Sequence, residues 1–269
     1  RALLLLGRMD ELQELVRAVK DGVERYGRPG ERTSVLATLL RELSRRERLF
    51  GLDALVAACH RFAAEAEGPG HLREQAGAEF TIAFTQLWRG RLADAETHFG
   101  AALKVAGEGG EAWRQVLCCT YLGLVRRLLD DVAGAAEWSE RARDIGELTR
   151  GVEGMLQANT SWASLRAGDP RRAAGEASAA LALWTGVSPV YPFQWAARWP
   201  LVAIAVGDGH DADAIGHARA MLDPEQHPLP DALCRPLTLA VEAWDRGDAD
   251  SARAHLQAAS SAAREGGYI

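Results

Sequence analysis

A motif that recurs about every 40 residues constrains the fold of this chain more than any other feature of the sequence. Each copy has a turn residue, three or four polar residues, and usually Ala at the start of an amphipathic run. A period of this length is typical of a solenoid or another repeat array, and seven units fit the chain. The copies are GRMDEL from Gly7, GRLADA from Gly90, DDVAGA from Asp130, GDPRRA from Gly168, GHDADA from Gly209 and GDADSA from Gly247.

Each unit is predicted to contain two helices. In the third unit, the apolar periodicity runs from Leu72 to Arg89, breaks at Gly90-Arg91, and resumes from Leu92 to Ala106. Strand signals are nearly absent, so we expect an all-α fold. One further turn is expected near residue 50, where the repeat motif does not align clearly with the other copies.

The chain has no initiator Met and starts inside an apolar run, so we interpret it as a C-terminal fragment of a longer protein. The expected single array covers residues 1–269 in units 1–27, 28–68, 69–108, 109–149, 150–186, 187–226 and 227–269.

Small residues recur at fixed distances from each turn, and they explain how such helices pack. Small side chains let the two helices of a unit, and the next unit, approach closely. No single helical hairpin buries its apolar face alone, so neighbours must stack. The positions seven before the turn are Ala83, Gly123, Ser161, Val202 and Ala240; those five after it are Ala95, Ala135, Ala173, Ala214 and Ala252; those twelve after it are Ala102, Ala142, Ala180, Met221 and Ala259.

These positions resemble those of tetratricopeptide repeats. Gly90, Ala95, Phe99 and Ala102 match the hinge and second helix of that repeat, although Gly replaces its usual Pro and the units exceed 34 residues. The resemblance covers nearly the whole chain. It implies an α-solenoid, a right-handed superhelix of about seven tetratricopeptide-like hairpins.

Three stretches also resemble the C-terminal repeat region of large bacterial signalling proteins that carry a STAND-type ATPase with a nucleotide-cyclase or DNA-binding domain. They are VYPFQWAARWPLVAIAVG, HARAMLDPEQHPLPDAL and AREGGYI. The resemblance implies that the array senses an inducer or partner and controls the ATPase. The chain has no GxxxxGK[ST] phosphate loop, so that module is expected upstream.

Charge and composition exclude several functions. The net charge of −6 argues against a nucleic-acid binder, which needs a basic face. The apolar run Ala2 to Leu6 is too short to span a membrane. The four cysteines form no CxxC pair, which indicates buried thiols in a reducing cytoplasm. We therefore expect a cytoplasmic module that binds neither nucleic acid nor membrane.

No catalytic motif is present, so we expect no enzyme activity and no cofactor. HExxH, GxSxG and a GxGxxG after a strand are all absent. The densest polar cluster is GDGHDADAIGH, in which Asp213 and His217 have a spacing that suits a metal. Because Asp211 and Asp213 also suit a helix start as N-cap and first-turn residues, we expect no metal site there.

Candidate binding residues follow from the tetratricopeptide resemblance, in which the first helices of the units line a concave groove. Exposed apolar surface with Trp and Arg is typical of binding sites. The alternative, in which the Trp residues form core, stays open. The predicted groove residues are Phe80, Phe84, Trp88, Thr120, Arg127, Trp162, Arg166, Arg198, Trp199 and Trp244.

Two functions fit this pattern. The first is an interaction module whose groove binds a peptide, a partner protein or upstream domains of the same chain. The alternative is a sensor in which Arg127, Arg166 and Arg198 face a small effector, with hydrogen bonds from Gln157, Asn159 and Thr160.

In the stretch PVYPFQWAARWP, Tyr191 and Phe193 are expected to pack the long turn onto the fifth unit. Pro200 is expected to kink or break the helix that follows.

Overall fold

The structure is a computed structural model, and it describes residues 9–28, 30–32, 35–36, 53–65, 69–146, 148–186 and 190–269. The described residues form helices and turns and contain no β-strand, which confirms the predicted all-α class. The turns predicted at Gly7 and near residue 50 lie outside the described residues.

Twelve α-helices have both ends within the described ranges, and a short 3-10 helix at Pro69–His71 precedes the third. Neighbouring helices pack in pairs, most extensively the third with the fourth, the seventh with the eighth, the ninth with the tenth and the eleventh with the twelfth. The helices are α1 Met9–Tyr26, α2 Asp53–Glu65, α3 Leu72–Trp88, α4 Leu92–Glu108, α5 Ala112–Leu128, α6 Val132–Ile145, α7 Arg150–Arg166, α8 Pro170–Trp184, α9 Trp195–Asp208, α10 Asp211–Met221, α11 Asp231–Asp245 and α12 Ala249–Glu265.

The turns within these pairs lie where the repeat register predicts them, and they adopt the left-handed conformation. Gly90, Gly168, Gly209 and Gly247 have φ values of 75°, 81°, 76° and 79°. Glycine adopts this conformation at low steric cost. Asp130 occupies the equivalent place with a φ of 60°, and it is the one non-glycine residue with positive φ in the described part of the chain. The predicted hinges between Gly90 and Gly247 are thus confirmed.

Replacing Asp130 by Gly is expected to stabilise the protein by about 0.5–1 kcal/mol, because a Cβ is unfavourable in the left-handed region. The change also removes an ion pair from Arg166 Nη2 to Asp130 Oδ2 at 2.6 Å, but the two side chains are 30% and 56% exposed and such surface pairs contribute little. Urea unfolding would measure the difference. Asp130→Ala is the matched control, and an Ala variant more stable than the Gly variant would contradict the explanation.

The small residues predicted at the three fixed positions around the turns are all buried. Ala95, Ala173 and Ala252, for example, have no exposed surface. The predicted close approach of the paired helices is therefore confirmed in the described part of the chain.

The chain divides into two compact units. Unit 1 comprises Arg1–Val125 with Glu140–Leu148, and unit 2 comprises Arg126–Ser139 with Thr149–Ile269. No helix among the described residues has the length and apolar character needed to cross a membrane.

An aromatic cluster forms much of the core of unit 1. Phe80 and Phe84 on α3 lie 5.7 Å and 5.2 Å from the ring of Tyr121 on α5. Phe99 on α4 stacks on the same tyrosine at 5.7 Å, with an interplanar angle of 8°. Trp88 packs edge-on against Phe84 at 5.6 Å. The cluster ties three helices of the unit together.

The cysteines behave largely as predicted. Cys59, Cys118 and Cys119 are buried, Cys234 is half-buried, and all four are free thiols. Burial raises the pKa of Cys59 to about 12 and that of Cys119 to about 11. Such thiols are unreactive at neutral pH because the nucleophilic thiolate is scarce.

A histidine pair in unit 1 makes stability depend on pH. Glu79 Oε2 lies 2.7 Å from His98 Nδ1, and this hydrogen bond raises the pKa of His98. The pKa of His60, whose ring is 5.2 Å away, is lowered mainly by burial and then by His98. The pKa of His98 is thus higher in the folded protein than in the unfolded chain, where it is about 6.5. The hydrogen bond to Glu79 therefore stabilises the fold fully below about pH 6.5. This stabilisation is lost as pH rises through the folded value.

We expect Glu79→Gln to reduce stability at about pH 5.5 more than at about pH 8.5. Urea unfolding of both proteins at the two pH values measures the difference. The charge of Glu79 also opposes the lowering of the His60 pKa, so the measured difference includes both rings. An equal loss at both pH values would show that His98 is not the titrating partner.

In unit 2, Tyr191 in the stretch before α9 packs onto the fifth unit as the sequence predicts. Tyr191 stacks on Trp184 of α8 with ring centroids 4.3 Å apart and an interplanar angle of 12°. Phe193 contacts Tyr191 at 5.8 Å and also His227 at 5.3 Å. The helix then runs from Trp195 to Asp208 without a break at Pro200, so a broken helix is not observed.

Candidate functional site

Most predicted groove residues are buried. This arrangement favours the alternative in which the aromatic side chains form core. Arg198 and Trp244 are half-buried, and Arg166 is exposed and paired with Asp130. The structure brings Arg127 and Trp162 together, whereas Arg166 and Arg198 lie among other partners. The buried residues of the predicted groove are Phe80, Phe84, Trp88 and Thr120 in unit 1, and Arg127, Trp162 and Trp199 in unit 2.

Arg127, at the end of α5, is the centre of the candidate site. Its Nη1 donates to the carbonyl oxygens of Ala158 on α7 and Ala196 on α9, at 3.2 Å and 2.9 Å. Its Nη2 donates to the carbonyl oxygen of Tyr268 at 2.7 Å. One guanidinium group thus joins two helices and the segment that follows α12. A planar group with several fixed donors suits this task better than the single ammonium of lysine.

Pro200 explains why one of these carbonyl oxygens needs an outside donor. Proline has no N–H, so the carbonyl of the residue four positions earlier, Ala196, loses its helical hydrogen bond. Arg127 supplies the missing donor at 2.9 Å. The proline is therefore accommodated inside α9 by a side chain from another helix.

The charge of Arg127 is compensated by carbonyl dipoles and aromatic rings. The side chain has no exposed surface, and no carboxylate pairs with it in the described part of the chain. Its Cζ lies 5.8 Å from the ring of Trp162 and 5.6 Å from that of Trp195, within the range of cation–π contacts. Burial lowers the pKa of Arg127 to about 9, so the group remains cationic at neutral pH.

The segment after α12 forms the other side of the site. The ring of Tyr268 packs against Trp195 at 4.8 Å, and Ile269 is buried. Gly267 has a φ of 73°, and a Cβ there would lie 2.8 Å from the Leu128 carbonyl oxygen. Only glycine fits this position without a shift of the backbone. We call Gly266–Ile269 the tail segment.

Several buried polar atoms near this centre lack a hydrogen-bond partner among the described residues. Asn159, which precedes Trp162 by three positions on α7, is 1% exposed, and neither its Oδ1 nor its Nδ2 is bonded. The same holds for Arg127 Nε, Trp162 Nε1 and Trp199 Nε1. Unsatisfied buried polar groups are rare in folded proteins and often mark a site for water or ligand.

Reasoning from the sequence missed Trp195 and Tyr268. Two signals could have found them: a proline inside a predicted helix indicates a freed carbonyl, and the glycine pair in AREGGYI indicates a tight turn followed by an aromatic residue.

The polar cluster GDGHDADAIGH does not form a metal site in the described residues, where no group of three or more candidate ligands meets. Asp211 is the first residue of α10 rather than its N-cap, which corrects the expectation from the sequence. It accepts hydrogen bonds from Arg253 Nε and Nη2 at 2.9 Å and 2.6 Å. The ion pair explains why this carboxylate is buried.

In comparisons with known proteins, no family model matches this chain and no curated protein sequence is similar to it.

Proposed function

We propose that the chain is a non-catalytic interaction module whose second unit holds an extended peptide segment against Arg127 and Trp195. The single observation that carries the proposal is the way the tail segment is held. Arg127 donates to a main-chain carbonyl of Tyr268 at 2.7 Å, and Trp195 packs on the tyrosine ring at 4.8 Å. Main-chain hydrogen bonds with an aromatic anchor are a common mode of peptide recognition.

The repeat register supports a regulatory role for this module. Left-handed turns and buried small residues at fixed spacing are what a tetratricopeptide-like α-solenoid requires. Such a solenoid would suit the C-terminal array of a bacterial signalling or transcriptional-regulator protein, in which an upstream ATPase, cyclase or DNA-binding domain responds to occupancy of the array. In that setting the module is cytoplasmic, and its partner is a segment of another protein or of the parent chain.

Opening the site tests the proposal. Gly267→Val introduces a side chain against the Leu128 carbonyl and is expected to displace the tail segment. A labelled peptide of sequence AREGGYI is then added, and its fluorescence anisotropy is measured. We expect saturable binding by the variant and at least tenfold weaker binding by the parent chain, whose site is occupied.

A peptide with Ala in place of Tyr is the control for the aromatic anchor. Gly175→Val on the exposed side of α8, where a Cβ meets no atom within 4 Å, is the control for the substitution. Equal binding of both peptides, or no binding by the opened variant, would overturn the proposal.

A second candidate function is the sensing of a small polar effector in the interior of unit 2. The observation that favours it is Asn159, a fully buried amide with both polar atoms unbonded among the described residues. A residue that lowers stability in a core is often retained for function.

Asn159→Leu is expected to raise the free energy of unfolding by about 1–3 kcal/mol, because it removes an unsatisfied buried amide while keeping the branched shape of the side chain. Thermal and urea unfolding would measure the change. Asn159→Ala, which leaves a cavity, is the comparison. A Leu variant less stable than the parent chain would show that the amide already has partners, and this candidate would then lose its support.

A further inference from the structure

A pocket of about 460 Å³ lies between α9 and α10, the two helices of one hairpin in unit 2. Arg198 and His217, which contact each other at 3.3 Å, both line it, and Leu201 and Ile204 contribute apolar surface. Asp208 and Asp213, both exposed, also line the pocket. The pocket thus presents basic, apolar and acidic side chains within a single hairpin.

Arg198 is held in a fixed orientation with part of its guanidinium group unused. Its Nε and Nη2 donate to Gln194 Oε1 at 3.3 Å and 2.8 Å, and its Nη1 lies 3.3 Å from His217 Nδ1. A guanidinium group has five N–H donors, so two remain after these three contacts. No carboxylate pairs with Arg198 in the described ranges, although burial lowers its pKa. Two neighbouring N–H donors match the geometry of a carboxylate.

His217 adds a third donor. Burial, and then the charge of Arg198, lower the pKa of His217, so its ring is neutral at pH 7. Because Nδ1 faces an Arg198 donor and must accept, the proton of the neutral ring resides on Nε2. Arg198 and His217 together therefore supply N–H donors from two side chains that line the pocket.

The acidic residues decide which ligand charge fits. Neither Asp208 nor Asp213 forms an ion pair with any described residue. Their charges would repel a simple anion, and Arg198 would repel a simple cation. Arg198 on α9 and Asp213 on α10 therefore present opposite charges to the same pocket.

We propose that this pocket binds a small zwitterion of the ω-amino acid class. Arg198 and His217 hold its carboxylate, Asp213 holds its ammonium group, and Leu201 and Ile204 contact the aliphatic chain between them. The proposal is independent of the peptide site at Arg127, because the residues that line the two sites are different.

Calorimetric titration of the whole chain tests this assignment with three probes: ε-aminocaproate, caproate and hexylamine. We expect saturable binding of ε-aminocaproate, at least tenfold tighter than that of either singly charged probe. NMR titration of His217 provides a local readout, since a carboxylate bound beside the ring is expected to raise the pKa of His217. Absence of binding by all three probes would overturn the proposal.

Two variants separate the roles of the charges. Arg198→Gln is expected to weaken ε-aminocaproate binding about tenfold or more, because a charged hydrogen-bonded pair is lost. Asp213→Asn, an exposed change, is expected to remove the preference for ε-aminocaproate over caproate. Arg235→Gln and Asp231→Asn on α11, both exposed, are the matched controls and should leave binding unchanged. A preference that survives Asp213→Asn would contradict the assigned ammonium site.

Discussion

Arg127→Met is expected to lower the free energy of unfolding by about 3–5 kcal/mol. The substitution keeps an unbranched, apolar stem at this position. It removes the guanidinium group that donates to three carbonyl oxygens, those of Ala158, Ala196 and Tyr268. A buried acceptor left without a donor costs about 1–3 kcal/mol. Relief of the buried charge offsets part of this loss. Urea unfolding followed by circular dichroism would measure it.

Pro200 provides an internal check on that explanation. Pro200→Ala restores the N–H that the Ala196 carbonyl lacks, so the Arg127→Met substitution should cost about 1 kcal/mol less in the Pro200→Ala background. A double-mutant cycle measures this coupling. Additive effects of the two substitutions would mean that Arg127 does not serve the carbonyl freed by the proline. Arg172→Met, at an exposed position on α8, controls for the loss of a surface arginine.

Trp162→Ala and Trp199→Ala are each expected to destabilise the protein by about 3–5 kcal/mol, the usual range for truncation of a core tryptophan. Both side chains have no exposed surface, and Trp162 also contacts Arg127. Trp113, which is 44% exposed, is the matched control, and its replacement by Ala should cost less than about 1 kcal/mol.

Thermal and urea unfolding of these three variants shows whether Trp162 and Trp199 belong to the core or line an open groove. If Trp162→Ala and Trp199→Ala cost no more than Trp113→Ala, the two tryptophans would be surface residues in solution. The open-groove alternative would then regain support.

The pairing of the helices could be predicted from the sequence because it depends on local chemistry. Glycine at four of the five described turns within the pairs and alanine five residues later are short-range signals, and both act through sterics between residues close in sequence. The packing of Tyr191 on Trp184 could be predicted for the same reason, since only seven positions separate them.

The burial of the candidate groove could not be predicted in this way. Periodicity identifies the face on which Arg127, Trp162 and Trp199 lie, but it cannot show whether another segment covers that face. In unit 2 the cover includes Tyr268, which is 141 positions from Arg127. Such a long-range contact leaves no short-range pattern in the sequence around either residue.

The bond between Arg127 and the tail segment has a consequence for the folding of unit 2. Repeat proteins with contacts only between neighbouring repeats can fold from any point and extend outward. A buried cation whose acceptor lies 141 positions away adds a non-local step, which slows folding because a long loop must close first. On the ribosome, Arg127 lacks this acceptor until Tyr268 has been synthesised. Unit 2 should therefore reach its full stability late and in one cooperative transition.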